Sequence, residues 1–467
     1  MFHSGFANSM HCNLLIKSNR ILTPEGLIKG TICISDGKII SCEQGDQLYS
    51  AEKVIDAGNN VVMPGIIDPH VHINEPGRTE WEGFDTATKS AAAGGITTLI
   101  DMPLNSTPVT TSLSNLQLKI KAAKKYAHVN CGFWGGVVPG NLNDLEELLH
   151  GGVFGLKTFL THSGIDDFPE TPPARLRDVL LLLKKYNMPL LAHCELSEHH
   201  EGLKQLRNNP TSYLAYLTSR PKSWENQAIN SMIKLCRETG AHVHIVHLSS
   251  AEALPQIKKA REDGFPLTVE TAPHYLFFSS EEIADRNTLL KCAPPIREKE
   301  NNEKLWNALK EGVIDFIATD HSPSPPHLKE IESGNFEKAW GGISGLQFSL
   351  PVIWKASRSR NVTLQEFCRW MCENPAHFLG LDSSKGKIRK GFDADLVIWN
   401  PEKEISIDKA DIYHRHKLTP YAGLLLKGEV FQTIVNGKIV YDNNSFPHLN
   451  AGKILLKEKT PDSEIVN

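Results

Sequence analysis

Short apolar runs broken by turn residues open the chain. LLIKSNRIL (14–22) and GTICISDGKIISCEQ (30–44) alternate apolar and polar positions at the period of two that marks a half-buried strand. Asp36-Gly37, set between apolar flanks, predicts a two-residue hairpin. The same texture returns in ADLVIWNP (394–401) and in VFQTIVNGKIVYDN (430–443), where Asn436-Gly437 is a second hairpin signal. The two ends of the chain are therefore expected to pair into one small β-sandwich flanking a continuous middle.

That middle changes period. Eight β-type runs recur: VVMPGIIDPHVH, GITTLIDMP, VNCGFWGGVV, VFGLKTFL, MPLLAHCE, HVHIVHLSS, PLTVETAPHY and IDFIATDH. Between them lie stretches of helical period such as SLSNLQLKIKAAKKYA (112–127) and SWENQAINSMIKLCRETG (223–240). Strand and helix in alternation imply a parallel sheet, and eight units predict an α/β fold, a TIM-like (β/α)8 barrel. The expected domains are 1–62 and 382–467 for the two parts of the β-sandwich and 63–381 for the barrel.

In such barrels catalytic groups project from the C-terminal ends of the strands. Reading those ends gives His70 and His72 after the first strand, Lys157 in the fourth, His193 in the fifth, His247 in the sixth and Asp320 in the eighth. Any one has a bland alternative: a lone histidine as a satisfied core residue, Asp320 as a helix cap. Together, imidazoles and a carboxylate at strand ends are what a two-metal site requires, and they suit Zn, Mn, Fe or Co. Lys157 is the odd member, because an ammonium repels a cation. Carbamylation by CO2 would turn it into an anion able to bridge two ions; a surface lysine fits poorly inside the apolar run GVFGLKTFL. His242 and His244 form a second His-x-His, but His247 lies at odd spacing from both, so the pair is expected to face the helical layer. His274 and His321 are expected to orient ligands.

Composition narrows the partners. With 50 Lys and Arg against 54 Asp and Glu the net charge is -4, which favours neither nucleic acid nor an anionic membrane and points to a small-molecule substrate. No run approaches the roughly 18 apolar residues that a spanning helix needs. Nine scattered cysteines without a C-x-x-C pair suit free buried thiols in a reducing compartment. Localisation is read as intracellular: cytoplasmic by default, with a mitochondrial or peroxisomal location left open by an atypical signal in the first ten residues, although the terminal IVN is no peroxisomal address.

With HVHINEPGRTEWEG (70–83), DMPLNSTP (101–108), GLKTFL (155–160), AHCE (192–195), HLSS (247–250), KCAPPIR (291–297), ATDHSP (318–323), GGISGLQ (341–347) and RHKLTPYAG (415–423) assembled, the chain resembles the amidohydrolase superfamily, and within it the cyclic amidohydrolases, over essentially its whole length. The resemblance implies two divalent ions, zinc foremost, held by His70, His72, Lys157 as N6-carboxylysine, His193, His247 and Asp320. It implies hydrolysis of the cyclic amide of allantoin to allantoate, with Asp320 carrying the proton, and a homotetramer. Dihydroorotases, which look similar, place an arginine two residues after the second histidine to bind a carboxylate; here that position is Asn74, which suits an uncharged ureido substituent or is merely a turn residue. Asn105 and Cys292 lie where relatives line the substrate pocket, and the GGISG loop offers backbone amides. Two rivals stand: a dihydropyrimidinase or hydantoinase, which shares the site, and a non-catalytic assembly protein, which should lack some of the six ligands.

Overall fold

The computed structural model describes residues 11–45, 49–197 and 201–458. The first ten residues, where a targeting signal was considered, and the terminal IVN lie outside the described residues.

The chain starts in a β-domain. Strands β1 (His11–Thr23), β2 (Gly26–Ser35) and β3 (Lys38–Gln44) form an antiparallel meander, and β4 (Ser50–Asp56) and β5 (Val61–Pro64) each pair parallel to β1. A register break between Ser18 and Ile21 divides β1, so that its first half pairs with β4 and its second half with β5. The Asp36-Gly37 hairpin forms as expected, both residues having positive φ (49° and 76°), as a type I′ turn demands.

The barrel follows with only Gly65 between. Its eight strands are β6 (Ile66–Val71), β7 (Ile96–Asp101), β8 (Asn130–Phe133) continued by β9 (Gly135–Gly136), β10 (Leu156–Phe159), β11 (Leu190–His193), β12 (Val243–Ile245), β13 (Leu267–Thr271) and β14 (Phe316–Ile317), paired in parallel. The third strand is interrupted at Trp134, whose indole Nε1 donates to Pro69 O at 2.8 Å. Closure runs through a parallel bridge between Val71 and His321 and through Asp68, whose carboxylate accepts from Thr319 N at 3.2 Å and Thr319 Oγ1 at 2.5 Å. The expected helices are present: Leu113–Tyr126 begins on a Ser112 cap that accepts from Asn115 N, and Lys222–Thr239 ends on Gly240 at φ 62°.

Strands β15 (Leu396–Ser406), β16 (Leu425–Val435) and β17 (Lys438–Asp442) return the chain to the β-domain, giving one eight-stranded mixed sheet in the order β17-β16-β15-β5-β1-β2-β3 with β4 beside β1. Its core is an aliphatic cluster that includes Ile16, Ile32, Ile34, Val62, Leu396 and Ile434, drawn from both chain ends. Asn436-Gly437 closes the second hairpin with φ of 50° and 78°.

Two expectations are corrected. The run VVMPGIIDPHVH is two strands, the first in the β-domain and the second in the barrel, because Gly65 passes so close to Thr97 that a Cβ would lie 2.2 Å from its side chain. Nor are all nine cysteines free thiols: Cys12 and Cys33 form a disulfide across neighbouring strands, with Cα atoms 5.7 Å apart, while the other seven are unpaired. No helix among the described residues is long and apolar enough to cross a membrane.

Candidate metal centre and active site

The six residues expected to bind metal are all buried and all line one cavity of about 280 Å³ at the C-terminal mouth of the barrel. His70 is the penultimate residue of β6 and His72 begins the loop beyond it; their Nε2 atoms lie 3.3 and 3.4 Å from Asp320 Oδ1. Donor atoms of these three lie within 4.8 Å of one another. His193, last residue of β11, turns Nδ1 to within 3.0 Å of His247 Nε2, and the His247 ring centroid is 5.5 Å from that of His70. Lys157 rises from β10 on the same wall, its Nζ 5.0 Å from the centroid of Phe159, whose ring in turn stacks on His193 at 4.5 Å.

Backbone strain aims two of these donors. His247 and Asp320 sit at φ 38° and 48°, a left-handed region that non-glycine residues adopt at a cost and that clusters at functional sites. Because φ turns positive at His247, the alternation of the preceding strand does not carry through to it. His244 therefore faces the barrel interior, not the helical layer: its Nε2 lies 3.1 Å from Glu270 Oε2, and its ring stacks on Phe316 at 5.3 Å. Glu270 Oε1 also pairs with His70 Nδ1 and accepts from His247 N at 3.3 Å. One buried carboxylate thus orients two of the metal-facing histidines, a role the sequence reading did not assign to it. Glu195 does the same for His193, at 2.9 Å from Nε2, and is itself gripped by Arg220 Nε at 3.1 Å and Nη2 at 2.5 Å. On the other side Asp101 accepts from Ile73 N at 2.8 Å, holding the loop after His72, and pairs with buried Lys119 at 2.6 Å.

The electrostatics suit cations. Burial pulls the Lys157 ammonium down to about 8, against the opposing pull of Glu270 and Asp320. Burial works to raise the Asp320 carboxyl, yet the neighbouring imidazoles, His70 first, hold it well below the usual range. Burial, with His193 beside it, keeps His247 far below the normal imidazole value, so it is a neutral donor at physiological pH. Lys157 Nζ has no hydrogen-bond partner, an expensive condition for a buried amine. Four imidazoles, one carboxylate and an unpartnered amine form a donor set that fits two divalent ions once the amine is made anionic.

Of the residues expected to bind substrate, Asn105 forms part of the cavity wall at φ 71°. Asn74 and Cys292 lie behind it. Asn74 is buried and reaches Pro323 O at 3.3 Å, whereas the neighbours of Cys292, Lys291 and Ala293, reach the cavity. His274 is buried with neither ring nitrogen partnered, and His321 accepts from Leu346 N at 3.3 Å while its main chain closes the barrel. Arg220, Tyr216, Lys291 and Trp340 are also part of the wall. Lys291 belongs to a motif visible in the sequence; nothing in the local pattern marks the other three.

Residues 61–440 match the amidohydrolase family and residues 10–60 match the domain described as "Allantoinase, composite domain". The chain is 48% identical over 448 residues to the allantoinase of Arabidopsis thaliana, covering 92% of this chain and 88% of that one. It is 43% identical to the allantoinase of Streptomyces avermitilis over 95% of this chain and 99% of the other. Among solved structures the L-hydantoinase (dihydropyrimidinase) from Arthrobacter aurescens superposes with a TM-score of 0.91 at 29% identity, covering 96% of this chain and 100% of that one. A barrel with this donor set at its mouth, joined to a β-domain of this kind, agrees with those matches along the whole described chain: it belongs to the amidohydrolase family, on the allantoinase branch.

Proposed function

We propose that this chain hydrolyses the cyclic amide of allantoin to allantoate, using two divalent ions, zinc foremost and Mn, Co or Fe as alternatives, held by His70, His72, Lys157, His193, His247 and Asp320. The observation that carries the reading is the convergence of all six on one cavity of small-ring size in a chain that also has the allantoinase composite domain.

Lys157 enters the scheme as N6-carboxylysine. Its neutral amine attacks the carbon of CO2, an N–H proton leaves to solvent, and an anionic carbamate remains. Burial favours this step by enlarging the neutral fraction of the amine. Two ions bound there supply Lewis-acid activation of water and of the ring carbonyl. Asp320, its carboxylate in the cavity beside His70 and His72, accepts the proton of the attacking water and hands it to the departing ring nitrogen. Glu270 and Glu195 hold the ligand rings in place, while Phe159 and Trp340 give the cavity apolar walls.

Asn105 faces the ring, and Asn74 and Cys292 support the wall from behind. Assembly as a homotetramer and an intracellular location, cytoplasmic by default and with a mitochondrial or peroxisomal one left open, complete the reading. The six buried thiols among seven unpaired cysteines favour a reducing compartment, with the single Cys12–Cys33 disulfide weighing against it. A hydantoinase reading is less well supported, since the matched allantoinases share more of the sequence than the hydantoinase structure does. An assembly protein without metals is disfavoured by the complete donor set.

The test is ring opening of allantoin, hydantoin, dihydrouracil and dihydroorotate side by side, with and without chelator. Allantoin turnover that chelator abolishes is expected. Turnover of hydantoin or dihydrouracil without allantoin would transfer the assignment to the rival.

A further inference from the structure

Lys291 has no counterpart in the chemistry above. It lies beyond β13 on the cavity wall, and no carboxylate pairs with it among the described residues. Its Nζ is held by backbone alone, donating to Ala339 O at 2.5 Å and, more weakly, to Glu337 O at 3.4 Å, and it stands 5.4 Å from the ring centroid of Tyr216. Tyr216 is fixed in turn, its hydroxyl donating to Cys292 O at 2.6 Å and its ring stacked on Phe336. A buried lysine, Lys329, serves the same segment from behind, donating to Trp340 O at 3.2 Å and to Gly342 O, and it is not part of the wall. The loop that carries Trp340, Gly341 and Gly342 is thereby clamped by Lys329, which leaves Lys291 with more donor capacity than the loop uses. An ammonium has three N–H groups, and here only one is well satisfied.

The space beside it is open. A Cβ built on Gly341 would meet nothing nearer than Cys292 Cα at 4.0 Å. Arg220, another cationic side chain on this wall, has its fork committed to Glu195, and Lys338 is exposed to solvent. Lys291 is therefore a half-buried amine donor with N–H capacity left to meet a ligand away from the metal end. This inference rests on the allantoin reading above. Allantoin is a hydantoin ring bearing a ureido arm; with the scissile amide at the metals, the arm must occupy the remainder of the cavity, and its carbonyl oxygen is the strongest acceptor on it.

We propose that Lys291 is the specificity-determining residue of this site, donating an N–H to the carbonyl oxygen of the ureido arm. A site built around such a donor discriminates strongly against a ligand that lacks the acceptor, because the donor is then left unpaired.

The experiment compares metal-loaded wild type with Lys291→Met, reading kcat and KM for allantoin and competitive inhibition by hydantoin, which has the ring without the arm. Lys291→Met should lower kcat/KM for allantoin roughly 30-fold, mainly through KM, as expected when a desolvated acceptor loses its hydrogen-bond partner. Hydantoin inhibition should change less than about twofold. Lys291→Gln, which keeps N–H donors for Ala339 O and for the arm, should recover much of the lost affinity and serves if the Met variant does not fold. An unchanged allantoin KM, hydantoin affinity falling in step with allantoin, or a Gln variant as impaired as the Met variant would each overturn the proposal. Failure of the wild type to open allantoin would instead overturn the functional reading, and shows before any variant is made.

Discussion

The Nδ1 of His193 and the Nε2 of His247 face each other at 3.0 Å across the mouth of the barrel. Burial holds both rings below the normal imidazole value, so each is neutral. With its Nε2–H donated to Glu195 at 2.9 Å, His193 turns the Nδ1 lone pair toward His247, and the Nδ1–H tautomer of His247 would aim a second lone pair at the same region, an arrangement suited to a cation. Replacing His193 by Asn should reduce bound metal from about two ions per chain to about one, with the ion near His70 and Asp320 retained. Metal analysis by mass spectrometry after gel filtration decides it; a full complement would place His193 outside the donor set.

Asp320 sits between metal binding and proton transfer, 3.3 and 3.4 Å from two imidazoles. Asp320→Asn keeps an oxygen donor and removes the proton acceptor, so kcat should fall about 10²- to 10⁴-fold while most of the metal stays bound. Near-normal turnover in that variant would end the proton-carrier role.

Lys157 should be removable and replaceable. Lys157→Ala is expected to lose activity and metal, and added acetate or propionate, which fits the space vacated by a carboxylated side chain, should restore part of both. Intact-protein mass spectrometry on the wild type under native conditions should show the added mass of CO2, lost on acidification. Full activity of the alanine variant without any added acid would remove the lysine from the site.

Away from the metals, Lys119 and Asp101 form an ion pair with side chains 1% and 0% exposed. Lys119→Met strands the Asp101 carboxylate, at a cost of about 3–5 kcal/mol. Because Asp101 also accepts from Ile73 N, the loop beyond His72 should loosen with it. Urea unfolding gives the first effect and hydrogen exchange at Ile73 the second.

Glu195 makes stability depend on pH. Burial would raise its carboxyl, but Arg220 and His193 hold it at about 2, against roughly 4.3 in an unfolded chain. A carboxyl depressed on folding stabilises fully above its unfolded value and loses that contribution as pH falls toward its folded value. The loss should therefore run from about pH 5 down to pH 2 and reach about 3 kcal/mol. Urea midpoints across that window should show it in the wild type and a smaller pH dependence in Arg220→Met, where the partner that depresses Glu195 is gone.

Much of this was legible because it depends on local rules. Asp36-Gly37 and Asn436-Gly437 announced their hairpins because few other pairs tolerate two successive positive φ angles. The six donors could be gathered from the sequence because each lies in or just beyond a run of strand character, and parallel barrels bring those runs together around one mouth. What escaped depends on departures from local regularity or on register. His244 was assigned to the wrong face because alternation was carried through His247, where the backbone leaves the extended region. The Cys12–Cys33 disulfide depends on the pairing of β1 with β2, which a separation of 21 residues does not reveal. Asn74 and Cys292 lie one layer behind the wall, and Lys291 reaches it instead, a difference of one residue that a motif alone does not resolve.

The union of β5 with β15 bears on how the molecule is born. During vectorial synthesis every donor through Asp320 leaves the ribosome before Leu396 does, yet the strand that feeds directly into His70 finds its antiparallel neighbour only in that late segment. The sheet that leads into the first catalytic strand is therefore completed only with translation of the tail, and a nascent polypeptide arrested before β15 would carry all its ligands with β5 paired on the β1 side alone.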